Sequence, residues 1–191
     1  MQPKILIITA PSGAGKTSIT RHLMQRFPQL AFSVSAATRA PRVHEKDGVD
    51  YYFMQVNDFK QKIEEGAFLE WEMVYEGKYY GTLKSELDRI WLHKQVPVLD
   101  IDVQGALHVK AQYPNQTLTL FIEPPSLEIL EQRLRARGTE TPESIADRMN
   151  KAGYELSFKA HFDRIVINQD LDDACEAAAA VVGAWLKEEH V

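Results

Sequence analysis

Residues 4–19 read KILIITAPSGAGKTSI, and this stretch decides the fold. Its first six residues form an apolar run typical of a buried parallel strand. Gly13 and Gly15 then open a turn, and the helical spacing of apolar residues after them lasts until Pro28. A strand that passes through a glycine-rich turn into a helix is the first unit of an α/β fold.

Apolar runs of the same kind recur along the chain. They span residues 4–9, 96–103, 117–123 and 164–168. Helical segments lie between them, including one capped by Ser126 and one that begins at Thr141 and Pro142. The first of these segments is expected to present Leu127, Leu130 and Leu134 on one face and to stop at Gly138. The alternation predicts a doubly wound parallel sheet.

Residues 33–88 break this alternation. Their short runs are rich in aromatic and β-branched residues, with a hairpin turn expected at Glu76–Gly77 and a short helix from near Asn57 to Gly66. We therefore predict a small mixed, mostly antiparallel insertion in the parallel fold.

Composition limits the classes of function. The chain has 191 residues and a formal net charge of -5, which argues against a general nucleic-acid binder because such surfaces need excess Lys and Arg. A single cysteine, Cys175, excludes an internal disulfide and is expected in the core. Six histidines lack paired metal-ligand spacing, and no apolar stretch reaches 18 residues. We expect one soluble, cytoplasmic domain with neither membrane nor nucleic acid as partner.

Residues 10–17 match the phosphate-binding pattern G-x-x-x-x-G-K-[ST] except at Ala10. In such a loop, backbone N–H groups and a helix N-terminus surround a di- or triphosphate, while the lysine and the hydroxyl serve the phosphates and Mg²⁺. Ala10 precedes Pro11, which favours an extended backbone with negative φ, so glycine is not required there. The alternative is a glycine-rich turn without a ligand.

Two further groups suggest what faces this loop. Asp100 and Asp102 end an apolar strand, at the edge where parallel sheets bind ligands, and would point the same way if the strand continued. Arg39, Arg42 and Tyr51 offer two guanidinium forks and a phenol suited to a phosphate monoester. Solvated strand-end acids and a solvated basic loop are the alternatives. A switch-type GTPase is disfavoured, because the nearest N-K-x-D match, residues 150–153, ends in glycine.

With these motifs in order, the chain resembles the guanylate kinases of the nucleoside monophosphate kinase group over essentially its whole length. The resemblance rests on PSGAGKT, FSVSAATRAPR, GVDYYF, FLEW, GKYYGT, LDIDVQGA, FIEPPS, RLRARGTET and VIN. It implies a core of residues 1–32, 89–132 and 151–191, a GMP-binding insertion at 33–88, and a mobile helical lid at 133–150.

The resemblance also implies roles for individual residues. ATP would contact Ser12, Gly13, Ala14, Gly15, Lys16, Thr17, Ser18, Arg133 and Asn168. GMP would contact Ser35, Arg39, Arg42, Tyr51, Glu70, Tyr80, Thr82 and Asp102. Lys16, Arg39, Arg137 and Arg148 would be catalytic, and Thr17 and Asp100 would hold Mg²⁺. Departures from the family pattern occur at Ala10, Ala37 and Gln169.

The implied reaction is transfer of a phosphoryl group from ATP to GMP or dGMP. Guanine presents N1–H and N2–H₂ donors that a carboxylate such as Glu70 accepts together, and adenine lacks them. The alternatives are a non-catalytic guanylate-kinase-like interaction module, which lacks a working phosphate loop, and a kinase for another base. A monomer and a homo-oligomer both remain open.

Overall fold

The computed structural model describes residues 3–136 and 141–188, which form two sheets and the helices around them. The β-strands within these ranges are β1 (Ile5–Thr9), β2 (Leu30–Phe32), β3 (Ala36–Ala37), β4 (Tyr52–Phe53), β5 (Phe68–Tyr75), β6 (Lys78–Leu83), β7 (Val96–Asp100), β8 (Thr117–Glu123) and β9 (Arg164–Ile167). The α-helices are α1 (Lys16–Arg26), α2 (Val56–Glu64), α3 (Lys84–Leu92), α4 (Val103–Gln112), α5 (Leu127–Ala136), α6 (Pro142–Ser157) and α7 (Leu171–Lys187). None of the helices in these ranges has both the length and the apolar character needed to cross a bilayer.

The larger sheet is parallel, in the order β2-β7-β1-β8-β9, as the alternation of strands and helices predicts. Alternate side chains of β1 enter the two cores on either side of it. Leu6 and Ile8 pack with residues of α1, α5 and α7, while Ile5 and Ile7 pack with residues of α3 and α4. All four are fully buried, so β1 and the loop after it rest on the centre of the protein. Cys175 is buried in the α7 layer and is a free thiol, as expected.

The edges of this sheet differ from the prediction. The run at 164–168 was expected to be a buried strand, but β9 lies at an edge and exposes Ile165 and Ile167. At the other edge, β2 was not predicted, because three residues are too few to establish a period. In α5, Leu130 and Leu134 are buried but Leu127 is exposed, so the predicted apolar face is shorter than expected.

The predicted strand at 96–103 is too long. β7 ends at Asp100, and Asp102 instead caps α4, accepting a hydrogen bond from the Gly105 N–H at 2.8 Å. An aspartate in front of a helix satisfies a backbone donor that the helix cannot, which ends the strand here. Asp100 and Asp102 therefore do not project from one continuous strand. The caps predicted at Ser126 and Thr141 are confirmed.

The smaller sheet, in the order β4-β3-β6-β5, has one parallel and two antiparallel pairings and is the predicted mixed insertion. The turn at Glu76–Gly77 joins β5 to β6, with Gly77 at φ 71°. Beneath the sheet, the Phe59 ring of α2 stacks on Phe68 at 4.2 Å. The sheet thus has an apolar core of its own.

The chain crosses between the two sheets at two places. On the way out, the Ser33 N–H still donates to the Val98 carbonyl of β7, while Ala36 already pairs within the smaller sheet. On the way back, β6 leads directly into α3, which packs on the larger sheet through Leu87. The boundary predicted after residue 88 falls inside α3. Gly138, the predicted stop of α5, lies outside the described residues.

Candidate active site between the two sheets

A cavity of about 800 Å³ opens between the carboxyl ends of β1 and β7, the smaller sheet and α6. This volume is in the range of small-molecule sites. Thirteen of the residues proposed from the sequence line it: Ser12, Gly13, Gly15, Lys16, Thr17, Ser18, Ser35, Tyr51, Glu70, Tyr80, Asp100, Asp102 and Arg148.

The loop between β1 and α1 has the backbone of an anion-binding turn. Gly13 and Gly15 have φ of 99° and 100°, which residues with a side chain rarely adopt, and a Cβ at Gly15 would also collide with Asn168. Among the described residues, Lys94 is the only non-glycine with positive φ, so Ala10 has the negative φ expected before proline. In the part of the chain that the structure describes, no side chain caps α1 and its first turn holds no acid. The N-terminus of α1 therefore favours an anion.

Side chains of opposite sign converge on this loop. The Lys16 ammonium forms an ion pair with the Asp100 carboxylate, both being about a quarter exposed. From α6, the Arg148 guanidinium donates to the Ser12 hydroxyl. Helix α6 thus reaches the phosphate loop across the cavity.

Four other residues of α6 line the cavity and were not among the residues proposed for the site. They are Ser144, Asp147, Lys151 and Glu155. Their spacing of three and four residues with Arg148 marks one helical face, and it was a signal in the sequence that could have identified them. Burial raises the pKa of Glu155, and the nearby Lys151 and Lys16 oppose that rise.

The opposite wall is a pocket of carboxylates. The Thr82 hydroxyl donates to Glu70 Oε1 at 2.6 Å, and Thr82 itself is buried behind the cavity wall. Burial raises the pKa of Glu70 above its usual value, and the hydrogen bond from Thr82 offsets only part of that rise. A Cβ at Gly105 would lie 3.0 Å from Glu70 Oε2 and 3.3 Å from Asp102 Oδ1, so a residue without a side chain leaves room for both carboxylates.

Glu72, also missed in the sequence, adds a third acid to this wall. A hydrogen bond to Asp102, followed by burial and the charge of Asp102, raises the pKa of Glu72 to about 7. Glu72 and Asp102 therefore form an interacting pair of acids on this wall. The sequence could have indicated Glu72, because residues two apart on a strand share a face and Glu70 was already proposed for the site.

The two arginines proposed for a phosphate monoester do not line the cavity. Both outer nitrogens of Arg39 donate to the Glu45 carboxylate at 2.6 Å, and its guanidinium lies 4.8 Å from the centre of the Tyr51 ring. The hydrogen bond from Arg39, then that from the Arg42 N–H, lowers the pKa of Glu45 to about 2. The Arg42 residue is exposed. Glu45 was not predicted, and its carboxylate holds the guanidinium fork expected to bind phosphate.

Arg133 and Asn168, two of the residues expected to contact ATP, lie behind the loop. Arg133 donates to the carbonyls of Asn168 and Gln169 at 2.9 and 3.3 Å. Asn168 is 3% exposed, and its Nδ2 donates to the Ala14 carbonyl at 2.7 Å. Of the remaining sequence proposals, Ala14 is buried in the loop, and Arg137 lies outside the described residues. Ala37 is buried in β3 opposite Tyr80, and Gln169 is exposed.

Comparison with known proteins decides the family. The guanylate kinase family model matches residues 2–184. The chain belongs to the guanylate kinase family. It is similar to guanylate kinase of Salinibacter ruber, with 48% identity over 95% of this chain and 96% of that protein, and to that of Bacteroides fragilis, with 44% identity over 97% and 91%. The crystal structure of guanylate kinase from Anaplasma phagocytophilum is also similar, with a TM-score of 0.77, 27% identity, and coverage of 97% and 87%.

The hydrogen bond from Asn168 to the Ala14 carbonyl is expected to hold the phosphate loop of this guanylate kinase family member in place. Replacing Asn168 with aspartate turns the donor that faces the Ala14 carbonyl into an acceptor, leaving two acceptors in contact. We expect KM for ATP to rise about tenfold or more, because a buried hydrogen bond is lost and a carboxylate without a donor replaces the buried amide, with KM for the monophosphate unchanged, as measured by steady-state kinetics. Gln169→Glu adds the same charge at the exposed next residue and is the matched control. Equal effects from both variants would refute a role for the hydrogen bond.

Proposed function

We propose that this protein transfers the γ-phosphoryl group of ATP to GMP or dGMP, giving ADP and the nucleoside diphosphate. The observation that carries the proposal is a single cavity with a phosphate loop on one side and a carboxylate pocket at Glu70 on the other. Family membership supports both halves of this reading.

At the ATP end, we propose that residues 12–18 surround the phosphates. Lys16 and Arg148 would stabilise negative charge on the transferring group, and the contact of Arg148 with Ser12 supports its placement there. Arg137 stays an expectation for the same role. Arg133 and Asn168 would border adenine, and their contacts with residues 14, 168 and 169 also support a role in holding the loop.

At the GMP end, we propose that the 5′-phosphate binds Arg39, Arg42, Tyr51 and Tyr80. Since Glu45 engages both outer nitrogens of Arg39, the phosphate would share or displace that carboxylate. Glu70, Asp102 and Ser35 would bind guanine, with Thr82 fixing the Glu70 carboxylate. A desolvated Glu70 opposite adenine would stay unpaired, which disfavours AMP.

Thr17 and Asp100 suit Mg²⁺ because the ion prefers hard oxygen donors and keeps most of its shell from water and phosphates. Both residues line the cavity beside Lys16. Within residues 3–136 and 141–188, no group of three or more His, Cys, Asp and Glu could hold a metal by itself, which fits an ion bound together with substrate. When bound, Mg²⁺ would neutralise charge on the phosphates of ATP.

The chain needs no catalytic base for this reaction. An oxygen of the GMP phosphate is already ionised near neutral pH and attacks the γ-phosphorus as the bond to the β-phosphate oxygen of ADP breaks. Catalysis then consists of alignment and charge stabilisation by Lys16 and the arginines. We propose that residues 133–150 act as a lid over the core and that 33–88 carry the monophosphate, so that closure excludes water.

We also propose a cytoplasmic location without membrane or nucleic-acid partners. The net charge of -5 and a buried free cysteine support it.

Release of ADP in a coupled assay tests the function. With ATP and Mg²⁺ present, we expect turnover with GMP and dGMP and little with AMP, UMP or dTMP. Turnover with AMP alone would indicate another base specificity. No turnover with any monophosphate would favour a non-catalytic interaction module.

A further inference from the structure

Glu86 is a buried acid outside the cavity that none of the roles above uses. It lies in the first turn of α3 and is 2% exposed. A charged carboxylate is rarely buried unless it is fully hydrogen-bonded, so its donors show what it holds together.

Four donors from three parts of the chain reach this carboxylate. The Val34 N–H donates to Oε1 at 3.1 Å, and the Tyr52 hydroxyl donates to Oε2 at 2.9 Å. Arg89, one turn along α3, donates to both oxygens at 2.6 and 3.1 Å. Burial alone would raise the pKa of Glu86, but these donors outweigh it and hold that pKa below the usual value.

The donors lie where the chain passes between the two sheets. Ser33 still bonds to the larger sheet and Ala36 belongs to the smaller one, so Val34 is on the outgoing crossing. Helix α3 is the return crossing, and Tyr52 belongs to β4. One carboxylate therefore ties both crossings to each other and to an edge strand of the smaller sheet.

Two of the tied points are next to residues of the monophosphate half of the cavity. Ser35 follows Val34, Tyr51 precedes Tyr52, and both line the cavity. The Ser35 carbonyl also accepts the Tyr52 N–H at 2.9 Å, which joins the two points a second time. A shift of the Glu86 carboxylate would move these groups relative to the phosphate loop.

We propose that Glu86 is a positioning residue for the monophosphate half of the site. Its carboxylate fixes the two crossings and β4, and so sets the distance of Ser35 and Tyr51 from the phosphate loop on the larger sheet. The inference rests on the proposed function for the identity of the ligand, but Glu86 and its donors do not themselves line the cavity.

The test compares Glu86→Gln with a control of the same chemistry. Asp163 also accepts from a backbone amide, a hydroxyl and a cation, namely Thr119 N, Thr119 Oγ1 and Lys110 Nζ, each at 2.9 Å. It precedes β9, at the end of the sheet away from the cavity. Asp163→Asn therefore removes a carboxylate with the same kinds of donor without touching the crossings, at a side chain that is 32% exposed where that of Glu86 is 2% exposed.

Calorimetric titration gives dissociation constants for GMP and for ATP separately, without turnover. We expect Glu86→Gln to weaken GMP about tenfold and ATP less than twofold, whereas Asp163→Asn changes neither beyond twofold. Tyr52→Phe, which removes one donor and keeps the ring, is expected to weaken GMP about threefold and to add nothing in the Glu86→Gln background. If Glu86→Gln does not fold, Tyr52→Phe alone tests the inference.

The inference is overturned if Glu86→Gln leaves GMP binding within twofold of wild type, if it weakens ATP equally, or if Asp163→Asn weakens GMP as much. Where only Tyr52→Phe folds, unchanged GMP binding overturns it. The wild-type titration tests the proposed function separately. If the wild type binds another monophosphate instead of GMP, the proposed function is wrong. The dissociation constants of the variants and the wild type are then compared for that monophosphate.

Discussion

Replacing Lys16 with methionine is expected to lower kcat by about 10³-fold or more, while GMP still binds. Methionine keeps the length and the apolar stem of the side chain but removes its charge. The ammonium lies at the N-terminus of α1, where the loop would deliver the phosphates of ATP. Removing one preorganised charge or donor from a transferring group costs about 10²- to 10³-fold, and the loss of an arginine in phosphoryl transfer costs about 10³- to 10⁵-fold.

The ion pair with Asp100 makes a matched control necessary, because Lys16→Met also leaves that carboxylate without its partner. Lys110 pairs with Asp163 at 2.9 Å, and the two side chains are 27% and 32% exposed, close to the values for Lys16 and Asp100. Lys110→Met therefore breaks a comparable pair outside the cavity. We expect it to keep kcat within about twofold, because partly exposed pairs contribute little.

Single-turnover rates and calorimetry with GMP separate chemistry from binding for both lysine variants. A Lys16→Met protein that turns over at the wild-type rate would place the phosphate cradle elsewhere. If Lys16→Met and Lys110→Met lower kcat equally, the effect is due to a broken ion pair rather than to the phosphate loop.

Local chemistry explains why the phosphate loop could be predicted from sequence. Gly13 and Gly15 are required by their own φ angles, and Ala10 is allowed by the proline beside it, so neighbours along the chain suffice. The parallel sheet was predictable for a similar reason, since four apolar runs separated by helical spacing have few other solutions.

Three sets of contacts were not predicted from the sequence, and two of them are local. The apolar residues around Asp102 predict that it lies in a strand. In the fold it caps a helix instead, because its carboxylate accepts a hydrogen bond from the Gly105 N–H. The Arg39 guanidinium was expected to bind phosphate. In the fold it donates to the carboxylate of Glu45, because the loop places this residue, six positions away, beside it. Of the donors to Glu86, Arg89 is three positions away, but Tyr52 and Val34 are 34 and 52 positions away and gave no signal in the sequence. The Asp102 cap and the Arg39–Glu45 pair are decided by the backbone path of a few neighbouring residues, whereas the Glu86 contacts with Val34 and Tyr52 depend on the tertiary fold.

Replacing Glu70 with glutamine is expected to lower kcat/KM for GMP about 100-fold. The carboxylate would accept the N1–H and N2–H₂ groups of guanine, and its position is fixed by the 2.6 Å bond from Thr82. Glutamine offers one acceptor and directs an NH₂ group at a guanine donor, so one charge-assisted hydrogen bond of about 1.5–3 kcal/mol is lost. In the proposed arrangement ATP binds at the opposite end of the cavity, so KM for ATP is the internal control.

The same substitution should also reduce discrimination between bases. Wild-type Glu70 opposite adenine would be a desolvated carboxylate without a donor, and burial already raises its pKa. Glutamine removes that buried charge, so kcat/KM for AMP should stay constant or rise while that for GMP falls. The ratio of the two kcat/KM values, measured by ADP release, is expected to drop by about 10²-fold or more. If instead GMP and AMP lose activity in the same proportion, Glu70 supports the strand rather than the base, and guanine is selected elsewhere in the cavity.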